Sequence, residues 1–325
     1  MSVKVPSIPL YTGQEMPVIG IGTWRAKDQE IHDLLNMALE SGYRHIDTAF
    51  MYQNESAIGD VLEAWFSSGR LKREDLFITT KLPMNAMRAS DVERFLQKSL
   101  AAMKIDYVDL YLVHNPVGMK NDEKTNSFLI GPDGSVVLDL TTDHVAIWKA
   151  MEAQVDAGRT KAIGISNFNS KQIQTIIDNC RIRPANMQIE IHAYHQQKEL
   201  REIASRHGMT VCAFAPLGAP YKGSGSSEFP QLLEHPVVCD IAKRLGKTPA
   251  QVLSRFLIQL GLIVIPKSSK PERVKQNFQV CDFELSAADM SAMEALDRRG
   301  KGRIFTFDIF KGINSHPEWP MHIPF

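Results

Sequence analysis

Short apolar runs alternate along this chain with longer stretches whose apolar positions recur every three or four residues. The first pattern suits a buried strand, and the second a helix with one face on a core. The opening segment IPLYTGQEMPVIG (8–20) has two apolar pieces around Thr12-Gly13-Gln14-Glu15, which predicts a β-hairpin. VIGIGTW (18–24) then reads as a strand. DQEIHDLLNMALESG (28–42) reads as an amphipathic helix with Asp28 as N-cap and Gly42 just past its end. The unit returns as YRHID with NESAIGDVLEAWFSSG (43–69), LFITTKL with SDVERFLQKSLAAM (76–103, Ser90 as cap), and YVDLYLVH with DHVAIWKAMEAQVDAG (107–158). It continues as TKAIGIS with NSKQIQTIIDNC (160–180) and NMQIEI with QQKELREIASRHG (186–208). The last units are MTVCAFAP with HPVVCDIAKRLG and TPAQVLSRFLIQLG (209–261), and LIVIPKS with SKPERVKQNF (262–278).

Eight strand-then-helix units in a row imply parallel strands joined by right-handed crossovers. They predict an α/β fold, a single (β/α)8 TIM barrel spanning 1–325, with an N-terminal β-hairpin and long loops on the catalytic face. A doubly wound dinucleotide-binding sheet is the rival. Its G-x-G-x-x-G turn fails here, because Gly20-Ile21-Gly22-Thr23-Trp24-Arg25 puts arginine where the third glycine is needed for close helix–strand packing. Three segments break the rhythm: 118–142, 218–230 and 297–325. Loops of that length on a barrel suit walls or lids. The last carries Phe305, Phe307, Phe310, Trp319 and Phe325, an apolar load expected to pack across the barrel as a substrate-pocket tail.

Asp47, Lys81 and His114 each stand at the end of a predicted strand, and Tyr52 follows Asp47 by one short turn. Barrel strands converge at their C-terminal ends, so these four residues are expected to meet. A phenol beside an ammonium, a carboxylate and an imidazole makes a proton donor rather than a nucleophilic triad or a metal site.

Composition narrows the partners. Thirty-seven basic residues balance 37 acidic ones, so no overall field draws the chain to nucleic acid or an anionic membrane. Cys180, Cys212, Cys239 and Cys281 form no CxxC pair, which suits reduced thiols. MSVKVPSIPL holds no apolar core of signal-peptide length, and FLIQLGLIVIP (256–266) is too short to span a bilayer; a cytoplasmic location is expected. His192-Ala193-Tyr194-His195 resembles a metal pair, but no carboxylate motif completes it, so no metal is expected. Gly223–Ser227 is read as a flexible piece of a loop closing over a cofactor.

The stretches GIGTW (20–24), GYRHIDTAFMYQNE (42–55), TTKL (79–82), VDLYLVHNP (108–116), IGISNFN (163–169), MQIEI (187–191), APLG (215–218) and IPKSSKPERVKQNF (265–278) together resemble an aldo-keto reductase of the aldose/aldehyde reductase type over essentially the whole length. The resemblance implies NADPH-dependent reduction of aldehydes or ketones, in a monomer acting on a small-molecule carbonyl substrate. Tyr52 would be the proton donor, Lys81 would make its phenol more acidic, Asp47 would hold Lys81, and His114 would position the carbonyl oxygen. Gly22, Thr23, Trp24 and Asp47 would lie near the nicotinamide, with Ser166, Asn167 and Gln188 on its carboxamide and Phe214 stacked on its ring. Pro216 and Leu217 would complete the turn beside it. Lys267, Ser268 and Arg273, with Gln276 and Asn277, would hold the adenosine 2′-phosphate at a helix start. The substrate would meet Tyr52, His114, Trp24 and Asn115, with Phe50, Met51, Met84, Met119, Phe128 and 305–310 as further candidates.

Two departures stand out. Phe214 replaces a tyrosine common in the family, and Asn115 replaces a common tryptophan, which is expected to open the pocket and add polar capacity. His114, where double-bond reductases carry glutamate, favours carbonyl chemistry. A hydroxysteroid or 3-dehydroecdysteroid ketone reductase is an alternative, since the ending HPEWPMHIPF (316–325) is similar to insect members. A nucleotide-binding regulatory or structural relative with little turnover is the alternative outside enzymes.

Overall fold

The computed structural model describes residues 5–220, 229–268 and 270–325. An antiparallel hairpin comes first, β1 (Ser7–Pro9) and β2 (Glu15–Pro17), its turn closed by Leu10 N donating to the Gln14 carbonyl at 2.8 Å. The first half then runs β3 (Ile21–Gly22), α1 (Asp28–Ser41), β4 (His45–Asp47), α2 (Glu55–Ser67), β5 (Phe77–Leu82), α3 (Ala89–Met103) and β6 (Val108–Val113). A small hairpin, β7 (Asn121–Asp122) and β8 (Ser127–Phe128), lies in the insertion before α4 (His144–Asp156). The second half continues β9 (Thr160–Ser166), α5 (Ser170–Asn179), β10 (Asn186–Glu190), α6 (Lys198–Arg206) and β11 (Thr210–Phe214). It ends with α7 (Pro236–Leu245), α8 (Pro249–Gln259), β12 (Ile263–Val264), α9 (Pro271–Phe278) and α10 (Ala287–Glu294).

The sheet order is β3-β4-β5-β6-β9-β10-β11-β12, all parallel, so the eight predicted strands are neighbours in chain order. An isolated parallel bridge between Ile19 and Val264 joins last to first, with Gly20 N donating to the Val264 carbonyl at 2.9 Å. The barrel expected from the sequence is present. Strand alternation divides the core: Tyr111 and Val113 of β6 pack under the helices, while Leu110 and Leu112 point into the barrel. Leu10 and Met16 of the hairpin join Leu110, Leu112, Ala162, Cys212 and Ile263 in that interior cluster. The hairpin therefore plugs the barrel from below, and the C-terminal mouth is left for chemistry.

Local endings depart from expectation in places. Gly42 does close α1 in the left-handed region (φ 106°), where a Cβ would be strained. Asp28, however, is the first helical residue rather than the cap, which falls at Lys27 without a side-chain hydrogen bond. Ser90 is likewise inside α3; the cap position belongs to Arg88, whose backbone is extended and whose guanidinium bonds Asp139 at 2.5 Å. α10 was not foreseen, although Ser286 and Asp289 form a reciprocal capping box at its start.

The 118–142 insertion and the C-terminal tail cover the mouth together. Met84, Val117, Met119, Val136, Ile313 and Trp319 form one buried cluster, with Met51, Phe128, Phe307 and Phe310 packed against it. Val136 N donates to the Lys311 carbonyl at 3.0 Å, and Phe128 meets Phe310 edge-on at 5.2 Å. Phe325, expected within the packed tail, is 42% exposed at the chain end, where its carbonyl accepts a bond from the Ser170 hydroxyl at 2.6 Å. The Gly223–Ser227 segment lies outside the described residues. No helix among the described residues is long and apolar enough to cross a membrane.

Candidate active site

Three consecutive strands, β4, β5 and β6, bring the chemistry together. Asp47 ends β4, Lys81 sits one residue before the end of β5, and His114 follows β6. Tyr52 comes from a 3-10 turn, Phe50–Tyr52, that follows β4. That turn is anchored from below: Asn54 donates to the carbonyls of Thr23 (2.9 Å) and Ala26 (3.0 Å). Asn54 is a positioning residue the sequence reading passed over, although it lies within the YQNE stretch.

Lys81 is fully buried and bonds Asp47 Oδ1 at 2.6 Å and the Thr48 carbonyl at 2.8 Å. The other Asp47 oxygen accepts from Gln188 Nε2 at 2.7 Å. The Lys81 Nζ lies 5.2 Å from the centroid of the Tyr52 ring, and the Tyr52 and His114 rings meet edge-on at 5.7 Å. Burying an ammonium and a carboxylate is costly unless both are satisfied. These two bonds from Lys81 fix the carboxylate and the backbone leading to Tyr52.

Electrostatics follow from that geometry. Burial alone pulls the Lys81 ammonium down, but Asp47 and then Tyr52 leave it above its ordinary value, so it is charged at neutral pH. Burial raises the Tyr52 phenol; Lys81 pulls it down, but desolvation outweighs the ammonium and leaves it raised overall. It is held protonated. Burial, aided by Lys81, lowers His114 well below the usual imidazole range, and its Nδ1 has no hydrogen-bond partner among the described residues. The set offers a protonated phenol, a charged ammonium and a neutral imidazole at one mouth.

Several other predicted residues gather here. The Thr23 hydroxyl donates to the Asp47 carbonyl at 3.0 Å. Asn167, in the left-handed region, donates through its side chain to the His114 carbonyl (2.8 Å) and to the Ser166 hydroxyl oxygen (3.0 Å). Trp24 and Phe214 each meet Phe305 of the tail edge-on, at 5.6 and 5.4 Å. Pro216 and Leu217 lie in a tight turn closed by Gly218 N on the Ala215 carbonyl at 2.9 Å.

Other placements correct the sequence reading. Asn115 is 1% exposed, and its Oδ1 accepts from Val117 N at 3.1 Å. Its oxygen is thus tied into its own turn, while its Nδ2 is buried without a partner among the described residues. Phe50 turns outward and packs edge-on against Phe95 of α3 at 4.9 Å. Met84 and Met119 are buried in the cluster that joins insertion and tail.

The candidate phosphate residues stand at the far side of the mouth, around the start of α9. Lys267 pairs with Glu30 at 2.8 Å, a partner the sequence reading did not foresee. The Ser268 hydroxyl accepts from Lys270 N at 3.2 Å. Arg273 and Gln276 are exposed, whereas Asn277 is buried.

The family model described as Aldo/keto reductase family matches residues 18–298. A Xenopus tropicalis protein, aldo-keto reductase family 1 member A1, is 44% identical over 92% of this chain and 90% of its own length. Bos taurus prostaglandin F synthase 1 is 38% identical over 98% of both. The solved aldose reductase of Schistosoma japonicum superposes with a TM-score of 0.88 at 43% identity, covering 97% of this chain and 98% of that one.

Proposed function

The chain belongs to the aldo/keto reductase family, and on that footing we propose that it reduces aldehydes or ketones to alcohols with NADPH, using Tyr52 as proton donor. Membership makes it an oxidoreductase acting on carbonyl compounds; the cofactor and the residue roles are the further step. The observation that carries them is the Lys81 ammonium, bonded at once to Asp47 and to the Thr48 carbonyl beneath the Tyr52 ring.

NADPH, when bound, supplies the hydride. A carbonyl that accepts hydride becomes an alkoxide, which must gain a proton in or near the transition state. Tyr52 holds that proton in the ground state, and Lys81 stabilises the phenolate left when it is given up. Asp47 keeps Lys81 charged, with Gln188 on its other oxygen. His114, neutral, orients the carbonyl oxygen by a hydrogen bond instead of competing as an acid.

The residues present fit the cofactor. A Cβ on Gly22 would stand 3.0 Å from the Ile265 carbonyl, so β3 packs closely against the segment after β12 that carries Lys267 and Ser268. The Ser166 hydroxyl accepts from Asn167 and keeps its own proton to donate, which suits a carboxamide. At the phosphate end Lys267 is shared with Glu30, so the exposed Arg273 carries more of the preference for a 2′-phosphate. Arg273→Ala should raise the NADPH dissociation constant by about one to two orders of magnitude and barely change that of NADH. Fluorescence titration with both cofactors decides this, and equal weakening would sink the phosphate assignment.

The function as a whole is tested by following NADPH absorbance with a panel of aldehydes, quinones and 3-ketosteroids. Turnover of at least one class supports the reading. Tight NADPH binding with no turnover of any would leave a nucleotide-binding relative in its place.

A further inference from the structure

A second buried polar cluster lies beside the tetrad and takes no part in its proton chemistry. Glu190 ends β10, is 1% exposed, and accepts two backbone bonds from the tail, from Ile304 N at 2.6 Å and Phe305 N at 3.0 Å. His192 Nε2 lies 3.0 Å from the same carboxylate, on the oxygen that Ile304 uses. Burial pushes the Glu190 carboxyl up, but His192 and the tail amide more than offset it and keep the group ionised. Arg303, itself largely desolvated, adds a favourable charge.

The same stretch of tail is held at three further points. Arg298 N donates to the Tyr194 carbonyl at 2.8 Å, and His195 Nδ1 lies 2.8 Å from the Arg299 carbonyl. A Cβ on Gly302 would stand 2.0 Å from the Tyr194 carbonyl, so backbone rests directly on backbone there. Each histidine of the H-x-x-H motif thus uses one ring nitrogen in this anchorage. What the anchorage delivers is Phe305, set edge-on to both Trp24 and Phe214 at the mouth.

We propose that Glu190 is a positioning residue for substrate specificity, latching 303–305 so that Phe305 forms a fixed wall of the substrate pocket. The inference rests on the reading that this mouth binds a carbonyl substrate. A carboxylate accepts from both tail amides at once; a carboxamide offers one oxygen and turns an N–H toward the other amide. Leaving a buried donor without its acceptor weakens the segment locally.

Glu190→Gln should therefore speed hydrogen exchange at the Ile304 and Phe305 amides by about tenfold. It should raise KM for a bulky aromatic ketone by about threefold to tenfold, with kcat for a small aldehyde changed less than about twofold. Gly302→Ala, which lifts the same segment with Glu190 intact, should give the same pattern, and serves if the first variant folds poorly. Unchanged exchange at those two amides in both variants overturns the latch. So does an equal loss for large and small substrates. The exchange measurement needs no turnover, so it judges the latch even if the wild-type chain reduces no carbonyl, an outcome that would instead remove the reductase reading.

Discussion

Tyr52→Phe is expected to lower kcat for carbonyl reduction by at least about 10²-fold while NADPH affinity changes by less than about twofold. The ring is kept, so its edge contact with His114 and its place over Lys81 persist. Only the transferable proton is lost. Neither of the other proton-bearing groups of the tetrad replaces it: His114 is held neutral by burial, and Lys81 is bonded to Asp47 and the Thr48 carbonyl. Steady-state rates together with cofactor titration check this. Residual turnover within about tenfold of wild type would mean that another group donates the proton.

Lys81→Met should produce a loss of turnover of similar size, accompanied by a fall in stability. Removing one partner of a buried pair leaves the other charge uncompensated, at a cost of about 3–5 kcal/mol. Among the described residues, Asp47 would keep only Gln188 as a donor to its carboxylate. The two effects separate in the double variant Asp47→Asn/Lys81→Met, which removes both charges. Its stability should recover by a large part of that cost, because the buried charge is gone, while its turnover stays low. Denaturant midpoints and rates of the three variants form the cycle. A double variant that regained activity along with stability would show that the lysine serves the fold and not the chemistry.

Much of this molecule was legible in its sequence because the barrel repeats one pattern. Each apolar run is buried on both faces, as in VDLYLV of β6, and each ends where a polar residue can reach the mouth. Asp47, Lys81 and His114 were placed by that rule alone; their roles remain the proposal. Helix starts were less legible. Asp28 and Ser90 look like caps, but the chain enters α1 and α3 through Lys27 and Arg88, and the Arg88–Asp139 bond spans 51 residues. Phe50 was misplaced for a related reason: sequence shows a side chain's chemistry but not whether it turns toward the mouth or outward to a helix. Glu190 was visible only as an acid closing an apolar strand. Its acceptors' partners, Ile304 and Phe305, lie more than a hundred residues away, beyond any local signal.

The measurement that tests the central claim most directly uses NADPH carrying two deuterium atoms at nicotinamide C4 and a carbonyl compound from the reactive class. Mass spectrometry of the product should find one deuterium on the new carbinol carbon, with one NADPH consumed per alcohol formed. Tyr52→Phe should suppress both signals together. An alcohol without deuterium, or label transfer that Tyr52→Phe leaves intact, would contradict hydride transfer completed by a proton from Tyr52.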